Sequence, residues 1–186
     1  MNNKNKTINL KFLYLKNIKK KEIEILRNER NSTSIRSKML NQNIISKNNQ
    51  IKWYNKIKKD KTSQIFSIYY KNKIIGSGSL TNISKKNKNC SWGFYIFNKY
   101  IGYFGVLAQF KIIQYAFKKY NLYKIYGKTL STNNQILKIH KKFGFKIEGK
   151  LKEQIFIKNK KVDIILTALY KSDWMKNKKK IKLLFA

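Results

Sequence analysis

Apolar residues change their spacing several times along this chain, and the changes predict alternating strands and helices. Short runs that are largely apolar, or in which apolar and polar residues alternate, predict strands at residues 8–15, 63–70, 74–80, 91–97, 124–130, 146–157 and 162–170. Apolar residues three or four apart predict helices at residues 20–30, 48–59, 106–120 and 134–143. This order predicts an α/β fold of the mixed α+β kind, with a central, mostly antiparallel sheet flanked by helices.

Length and apolar content predict one domain over residues 1–170, followed by a basic C-terminal tail over residues 171–186. The chain has 186 residues, and its 42% hydrophobic content is enough for a core. The lysines after residue 171 predict a frayed, solvated end. A single cysteine, Cys90, cannot form an internal disulfide and favours a reducing compartment. No apolar run is typical of a signal peptide or a membrane span, so we expect a cytoplasmic protein.

The charge of the chain indicates a polyanionic partner, but in an unspecific way. The formal net charge is +35, which would suit nucleic acid. Only three basic residues, Arg27, Arg30 and Arg36, are arginine, the side chain that binds phosphates and base edges bidentately. Lys, Asn, Ile, Tyr and Phe share codons rich in A and T, so an AT-biased genome explains the composition. Scattered lysines give only nonspecific affinity, and nucleic-acid binding stays an alternative.

The most specific pattern lies in residues 92–145. A strand, WGFYIF, leads through a glycine turn at residues 101–105 into the predicted helix 106–120. Backbone N–H groups and the helix dipole at such a helix start favour a phosphate. The last predicted helix follows Asn133 and ends before Gly144, a residue suited to a C-terminal cap. A short glycine turn alone would also fit an ordinary connection between strand and helix.

These motifs, in this order, resemble the GNAT N-acetyltransferase superfamily. Asn133, His140 and Gly144-Phe145 keep the spacing of its fourth motif, with His140 where most relatives have tyrosine. The glycine turn stands where the superfamily has its Arg/Gln-x-x-Gly-x-Gly/Ala motif. Gly105 is then the last glycine, while Tyr103 stands at the middle glycine and Tyr100 at the Arg/Gln position. The resemblance covers roughly residues 8–170. It implies the GNAT fold and acetyl-CoA as the acetyl donor.

Residues 26–28, 75–80 and 92–96 resemble one subfamily, the pseudaminic-acid pathway N-acetyltransferase. That subfamily acetylates the amino group of a UDP-linked amino-dideoxy sugar that leads to flagellin glycosylation. The acetyltransferases of ribosomal-protein N-termini and of antibiotics share the C-terminal pattern. A protein N-terminus therefore stays an alternative acceptor, and a scaffold that binds the cofactor without turnover is another.

The resemblance also implies contacts to coenzyme A. The residues of the diphosphate site are Gly102, Tyr103, Phe104, Gly105 and Val106. Strands 91–97 and 124–130 would splay and admit the pantetheine arm, which would meet the backbone of Phe94, Tyr95 and Ile96. Asn133 would reach the same arm, although Asn at that place also suits a helix N-cap.

Two residues are candidates for catalysis. His140, the only histidine, stands where relatives carry the acid that protonates the departing thiolate. A lone histidine on an apolar helix face is also commonly a packed core residue. Ser79 matches a serine that orients the acceptor amine or relays its proton through water. Lys128 and Ser91 occupy the positions where relatives often have a glutamate base.

The acceptor side is the least defined part of the sequence. Arg27, Arg36 and Lys38 are candidates for the diphosphate of a UDP-amino sugar, and Trp53 is a candidate for stacking on the nucleotide or sugar. Each also fits ordinary helix surface or core. We predict no metal site, and a homodimer stays open.

Overall fold

The structure is a computed structural model and describes residues 12–183. Its strands are β1 Leu13–Asn17, β2 Gln64–Tyr70, β3 Lys73–Ser84, β4 Asn89–Ile96, β5 Lys124–Leu130, β6 Lys146–Ile157 and β7 Lys160–Tyr170. Its helices are α1 Ile23–Asn31, α2 Thr33–Arg36, α3 Lys47–Lys59, α4 Tyr103–Tyr120, α5 Asn134–Phe143 and α6 Lys171–Leu183. Single turns of 3-10 helix, Lys20–Glu22 and Asn98–Tyr100, come shortly before α1 and α4.

The strands form one sheet in the order β1-β2-β3-β4-β5-β7-β6. Neighbouring strands are antiparallel except β4 and β5, which run parallel. A mixed, mostly antiparallel sheet flanked by helices is therefore confirmed. The strand predicted at residues 8–15 corresponds to β1, and residues 8–11 lie outside the described part of the chain.

Two boundaries near the glycine turn and the N-terminal helices differ from the prediction. Helix α4 begins at Tyr103, three residues before the predicted start at Val106. Gly102 is its N-cap with a φ of +100°, so the turn closes directly into the helix. The segment after α1, for which no element is predicted, holds the short helix α2, which begins at Thr33.

Helix α4 packs closely on the sheet. A Cβ atom added at Gly78 in β3 would lie only 2.5 Å from Cδ1 of Ile112, so the Ile112 side chain would have to move to admit any larger residue there. The buried residues of α4 are Leu107, Ala108, Gln109, Phe110, Ile112, Ile113, Ala116 and Phe117. Despite this apolar character, no helix within residues 12–183 is long and apolar enough to span a membrane.

The C-terminal segment is not the frayed, solvated end that its lysines predict. Residues 171–183 form α6, in which Trp174 and Ile181 are each 2% exposed. The ring of Trp174 lies 5.1 Å from that of Phe110 and 6.3 Å from that of Phe143, measured between centroids. The expectation fails because two apolar residues, seven positions apart, put one face of a lysine-rich helix into the core.

Candidate active site

Strands β4 and β5 pair only near their starts. The parallel ladder joins Asn89 to Lys124, Cys90 to Ile125 and Ser91 to Tyr126. Beyond these pairs the two strands continue to Ile96 and Leu130 without pairing to each other. The backbone edge of β4 after Ser91 therefore faces a gap, and its N–H and C=O groups there can bond to a ligand. The sequence predicts this separation.

A cavity of about 720 Å³ lies in this gap, and we call it the donor cavity. Its volume is within the range of small-molecule sites. The predicted site residues on its wall are Phe94, Tyr95, Ile96, Gly102, Gly105, Asn133 and His140. Those residues come from β4, α4, α5 and the turns before the two helices, so the fold brings them together around one space.

The start of α4 forms one end of the donor cavity. Apart from the adjacent residues and the backbone of α4 itself, no atom of residues 12–183 lies within 4 Å of a Cβ built at Gly102 or Gly105, so both glycines face open space. The first turn of an 18-residue helix presents backbone N–H groups and a positive dipole end to that space. Tyr103, Phe104 and Val106, the other predicted residues of the diphosphate site, do not line the donor cavity.

Asn133 keeps its side chain available. It occupies the N-cap position of α5, but its side chain makes no capping hydrogen bond within residues 12–183. Its half-buried amide lines the donor cavity. A side chain amide both donates and accepts hydrogen bonds, which suits the amide groups of a pantetheine arm.

His140 is packed between aromatic rings. It is 5% exposed, and its ring centroid lies 4.5 Å from that of Phe145 and 5.5 Å from that of Trp92. Neither ring nitrogen has a hydrogen-bond partner among residues 12–183. Burial lowers the pKa of His140 to about 4, so the imidazole is neutral at pH 7. A neutral imidazole keeps one N–H, and its catalytic role stays a prediction.

We expect the stability of the protein to fall by about 2 kcal/mol between pH 7 and pH 5 because of His140. The pKa of His140 is about 4 in the folded protein and 6.5 in the unfolded chain. Between these values the unfolded chain binds a proton at His140 that the folded protein does not bind. The contribution of the neutral His140 to stability is therefore complete above pH 6.5 and is lost as the pH falls towards 4. Urea unfolding at several pH values measures the slope, and His140→Phe should remove the part due to His140, leaving only the smaller part from carboxyl groups whose pKa is lowered in the fold. A variant with the full wild-type slope would contradict this.

A second cavity, of about 570 Å³, adjoins the first, and we call it the acceptor cavity. Ser79 and Trp53 line it, and the hydroxyl of Ser79 donates to the carbonyl of Gly93 at 3.3 Å. The residues that line both cavities are Arg30, Met39, Asn41, Gly93, Phe94 and Tyr95. The two cavities thus meet at the middle of β4, where an acyl group in one could face an amine in the other.

Arg30 stands at this meeting point, and the sequence reasoning missed it. Its Nη2 donates to the backbone oxygen of Asn41 at 2.6 Å, while its buried Nη1 has no partner within residues 12–183. Burial lowers the pKa of the guanidinium, which remains a cation at neutral pH. A usable signal was its spacing, since Arg30 follows the buried Leu26 by one helical turn and shares its face.

The other predicted acceptor residues are dispersed. Arg27 pairs with Glu24 at 2.6 Å and donates to the carbonyl of Ile45, and it lines neither cavity. Arg36 donates to the carbonyl of Gln42 and also lines neither. Lys38 lines the donor cavity.

No carboxylate lines either cavity. All 8 acidic residues of the chain lie within residues 12–183, and none is on the two walls. The buried Glu22, for example, accepts hydrogen bonds from the hydroxyls of Ser67 and Tyr69, both at 2.6 Å. Lys128 and Ser91 do line the donor cavity, as their sequence positions suggest. Proton removal from an amine would thus use water or a hydroxyl rather than a carboxylate on the wall.

Comparison with known proteins shows which family and which solved structures this chain resembles. Residues 14–166 match the family described as "Acetyltransferase (GNAT) domain". The spermidine N-acetyltransferase of Vibrio cholerae, solved with CoA and spermine, aligns with a TM-score of 0.83 at 22% identity over 89% of this chain and 99% of that chain. A dodecameric structure of spermidine N-acetyltransferase from Vibrio cholerae aligns with a TM-score of 0.77 at 20% identity, over 89% and 97%. No curated protein sequence matches the chain. At these identities the solved structures show a shared fold.

Proposed function

The chain belongs to the GNAT acetyltransferase family, and from that premise we propose that it acetylates the amine of a nucleotide-linked amino sugar. It is an acetyl-CoA-dependent N-acetyltransferase by family, so the acceptor is the part that we propose. The single observation that carries the proposal is the unpaired Nη1 of the Arg30 guanidinium, in an acceptor cavity that no carboxylate lines. A nucleotide-linked sugar brings the phosphate oxygens that such a cation binds.

Acetyl-CoA would lie along the donor cavity. Its diphosphate would meet the start of α4 at Gly102 and Gly105, where the helix dipole favours anions. Its pantetheine arm would follow the open edge of β4 and approach Asn133. The acetyl group would then reach the wall near Phe94, which both cavities share.

The charge of the acceptor cavity argues against a polycationic acceptor. Spermine is bound in the similar Vibrio cholerae structure, and polyamines carry several positive charges. In this protein such a ligand would meet Arg30 and a net charge of +35, with no carboxylate on the wall to pair with it. Like charges at close range cost several kcal/mol in binding. Arg30 and the positive net charge instead favour an acceptor that carries negative charge.

In the proposed reaction the neutral amine attacks the thioester carbonyl. A C–N bond forms, the C–S bond breaks, and the thiolate of coenzyme A leaves. The amine proton passes to water, with the Ser79 hydroxyl as a relay near Gly93. The N–H of the neutral His140 imidazole is our candidate to donate a hydrogen bond to the departing thiolate, since its ring lines the donor cavity. The thiolate then takes up, through water, the proton that the amine released.

We expect the protein to acetylate a UDP-linked amino sugar with a kcat/KM about 100-fold above that for spermidine, a difference of about 3 kcal/mol. Release of free CoA thiol, followed with each acceptor in parallel, measures the ratio. A peptide with a free N-terminus is the third arm. Faster reaction with spermidine or with the peptide would overturn the proposed acceptor while leaving the donor assignment intact.

A further inference from the structure

A buried amide lies in the donor cavity, on α4 beyond the glycine turn. Gln109 is 0% exposed, and neither its Oε1 nor its Nε2 has a partner among residues 12–183. Gln109 also lines the donor cavity. Buried polar groups are almost always hydrogen-bonded, so a fully unpaired amide on a cavity wall indicates a ligand that pairs with it.

The position of Gln109 selects the part of the ligand. It lies seven residues after Gly102, which is about 10 Å along the helix axis. The residues of α4 that share its face, Gly105, Val106, Ile112 and Ile113, have no polar side chain, so none of them calls for an amide here. Gln109 thus lies in the same cavity as the candidate phosphate site at the start of α4, but farther along the helix. The unpaired edge of β4 lines this cavity as well.

We propose that Gln109 binds the amide-bearing pantetheine arm of acetyl-CoA. Its Nε2 would donate to a carbonyl oxygen of the arm, and its Oε1 would accept from an amide N–H, so both unpaired atoms would be satisfied. The open backbone edge of β4 would hold the arm from another side. This inference rests on acetyl-CoA as the donor in the proposed function. It makes Gln109 a cofactor-binding residue that no motif of the sequence marks.

The test compares two ligands in the wild type and in Gln109→Leu. Acetyl-CoA carries the arm, whereas ADP carries the diphosphate without it. We expect the variant to raise the Kd of acetyl-CoA by about 5- to 150-fold, the loss of two hydrogen bonds, and to leave the Kd of ADP unchanged. Calorimetry measures both constants. The KM for acetyl-CoA should rise with the Kd, while kcat at saturating acetyl-CoA stays near the wild-type value.

The melting temperature of Gln109→Leu distinguishes a ligand-binding role from a structural one. Leucine has nearly the same size and no polar atoms, so the ligand-free variant should melt a few degrees higher than the wild type. A lower melting temperature would show that Gln109 has a partner within the fold, and would overturn the inference. The matched control is Gln114→Leu, on the exposed face of the same helix, which should leave the Kd of acetyl-CoA unchanged.

Two further outcomes separate this inference from the proposed function. Wild-type binding of acetyl-CoA with an unchanged Kd in Gln109→Leu would overturn the inference alone. A variant that weakens ADP and acetyl-CoA by the same factor would also overturn it, because the arm would then not be what Gln109 recognises. A wild type that does not bind acetyl-CoA at all would overturn the donor assignment, and this inference with it.

Discussion

Replacing Arg30 by methionine should lower kcat/KM for a nucleotide-linked amino sugar by about 30- to 1,000-fold, or about 2–4 kcal/mol. The side chain of Arg30 is half-buried at the junction of the two cavities, and its buried Nη1 has no hydrogen-bond partner within residues 12–183. Methionine keeps the apolar length of the side chain but cannot pair with a phosphate. Initial rates at saturating acetyl-CoA, over a range of acceptor concentrations, give the ratio.

Arg27→Met is the matched comparison for this experiment. Arg27 lies on the same helix, three residues earlier, but lines neither cavity. We expect its loss to be at least about ten times smaller than that of Arg30→Met. Equal losses in the two variants would place the phosphate elsewhere. An equal loss with a neutral amine acceptor would show that Arg30 supports the wall instead of binding the substrate.

Trp174→Ala should lower the free energy of unfolding by about 3–5 kcal/mol. The indole is 2% exposed and lies between the rings of α4 and α5, at 5.1 Å from Phe110 and 6.3 Å from Phe143. Alanine would leave a cavity where three helices meet. Urea denaturation measures the change through the midpoint and the slope.

Met175→Ala is the control for Trp174→Ala. Met175 is the next residue of α6 and is 50% exposed, so its truncation should change stability by no more than about 0.5 kcal/mol. A loss below about 1 kcal/mol for Trp174→Ala would mean that α6 detaches readily and adds little to the core.

The elements of the sheet were predictable because their signals are local. Residues 124–130, KIYGKTL, predict a strand, and β5 has those bounds. Helix α6 was not predictable in the same way, because its lysines dominate the composition and only Trp174 and Ile181 mark the buried face. Whether such a face finds a partner depends on α4 and α5, which lie far away in the sequence.

The two halves of the candidate site differ for a related reason. The donor half depends mainly on backbone geometry. Glycines such as Gly102 and the order of the strands predict that geometry from the sequence. The acceptor half depends on the direction of long side chains. Arg27 and Arg30 are both arginines on α1, yet Arg27 turns to Glu24 and Ile45 while Arg30 enters the cavities. Arginine content could not separate the two.

The wall that the two cavities share at β4 affects how the rate of the enzyme would depend on the concentrations of its two substrates. Cys90, the lone thiol, is 0% exposed with a pKa raised to about 12 by burial, so it cannot hold the acetyl group between steps. The acetyl group would therefore pass directly between two ligands that are resident at the same moment. Turnover then follows the product of two occupancies, and a shortage of acetyl-CoA would limit the rate however abundant the acceptor is.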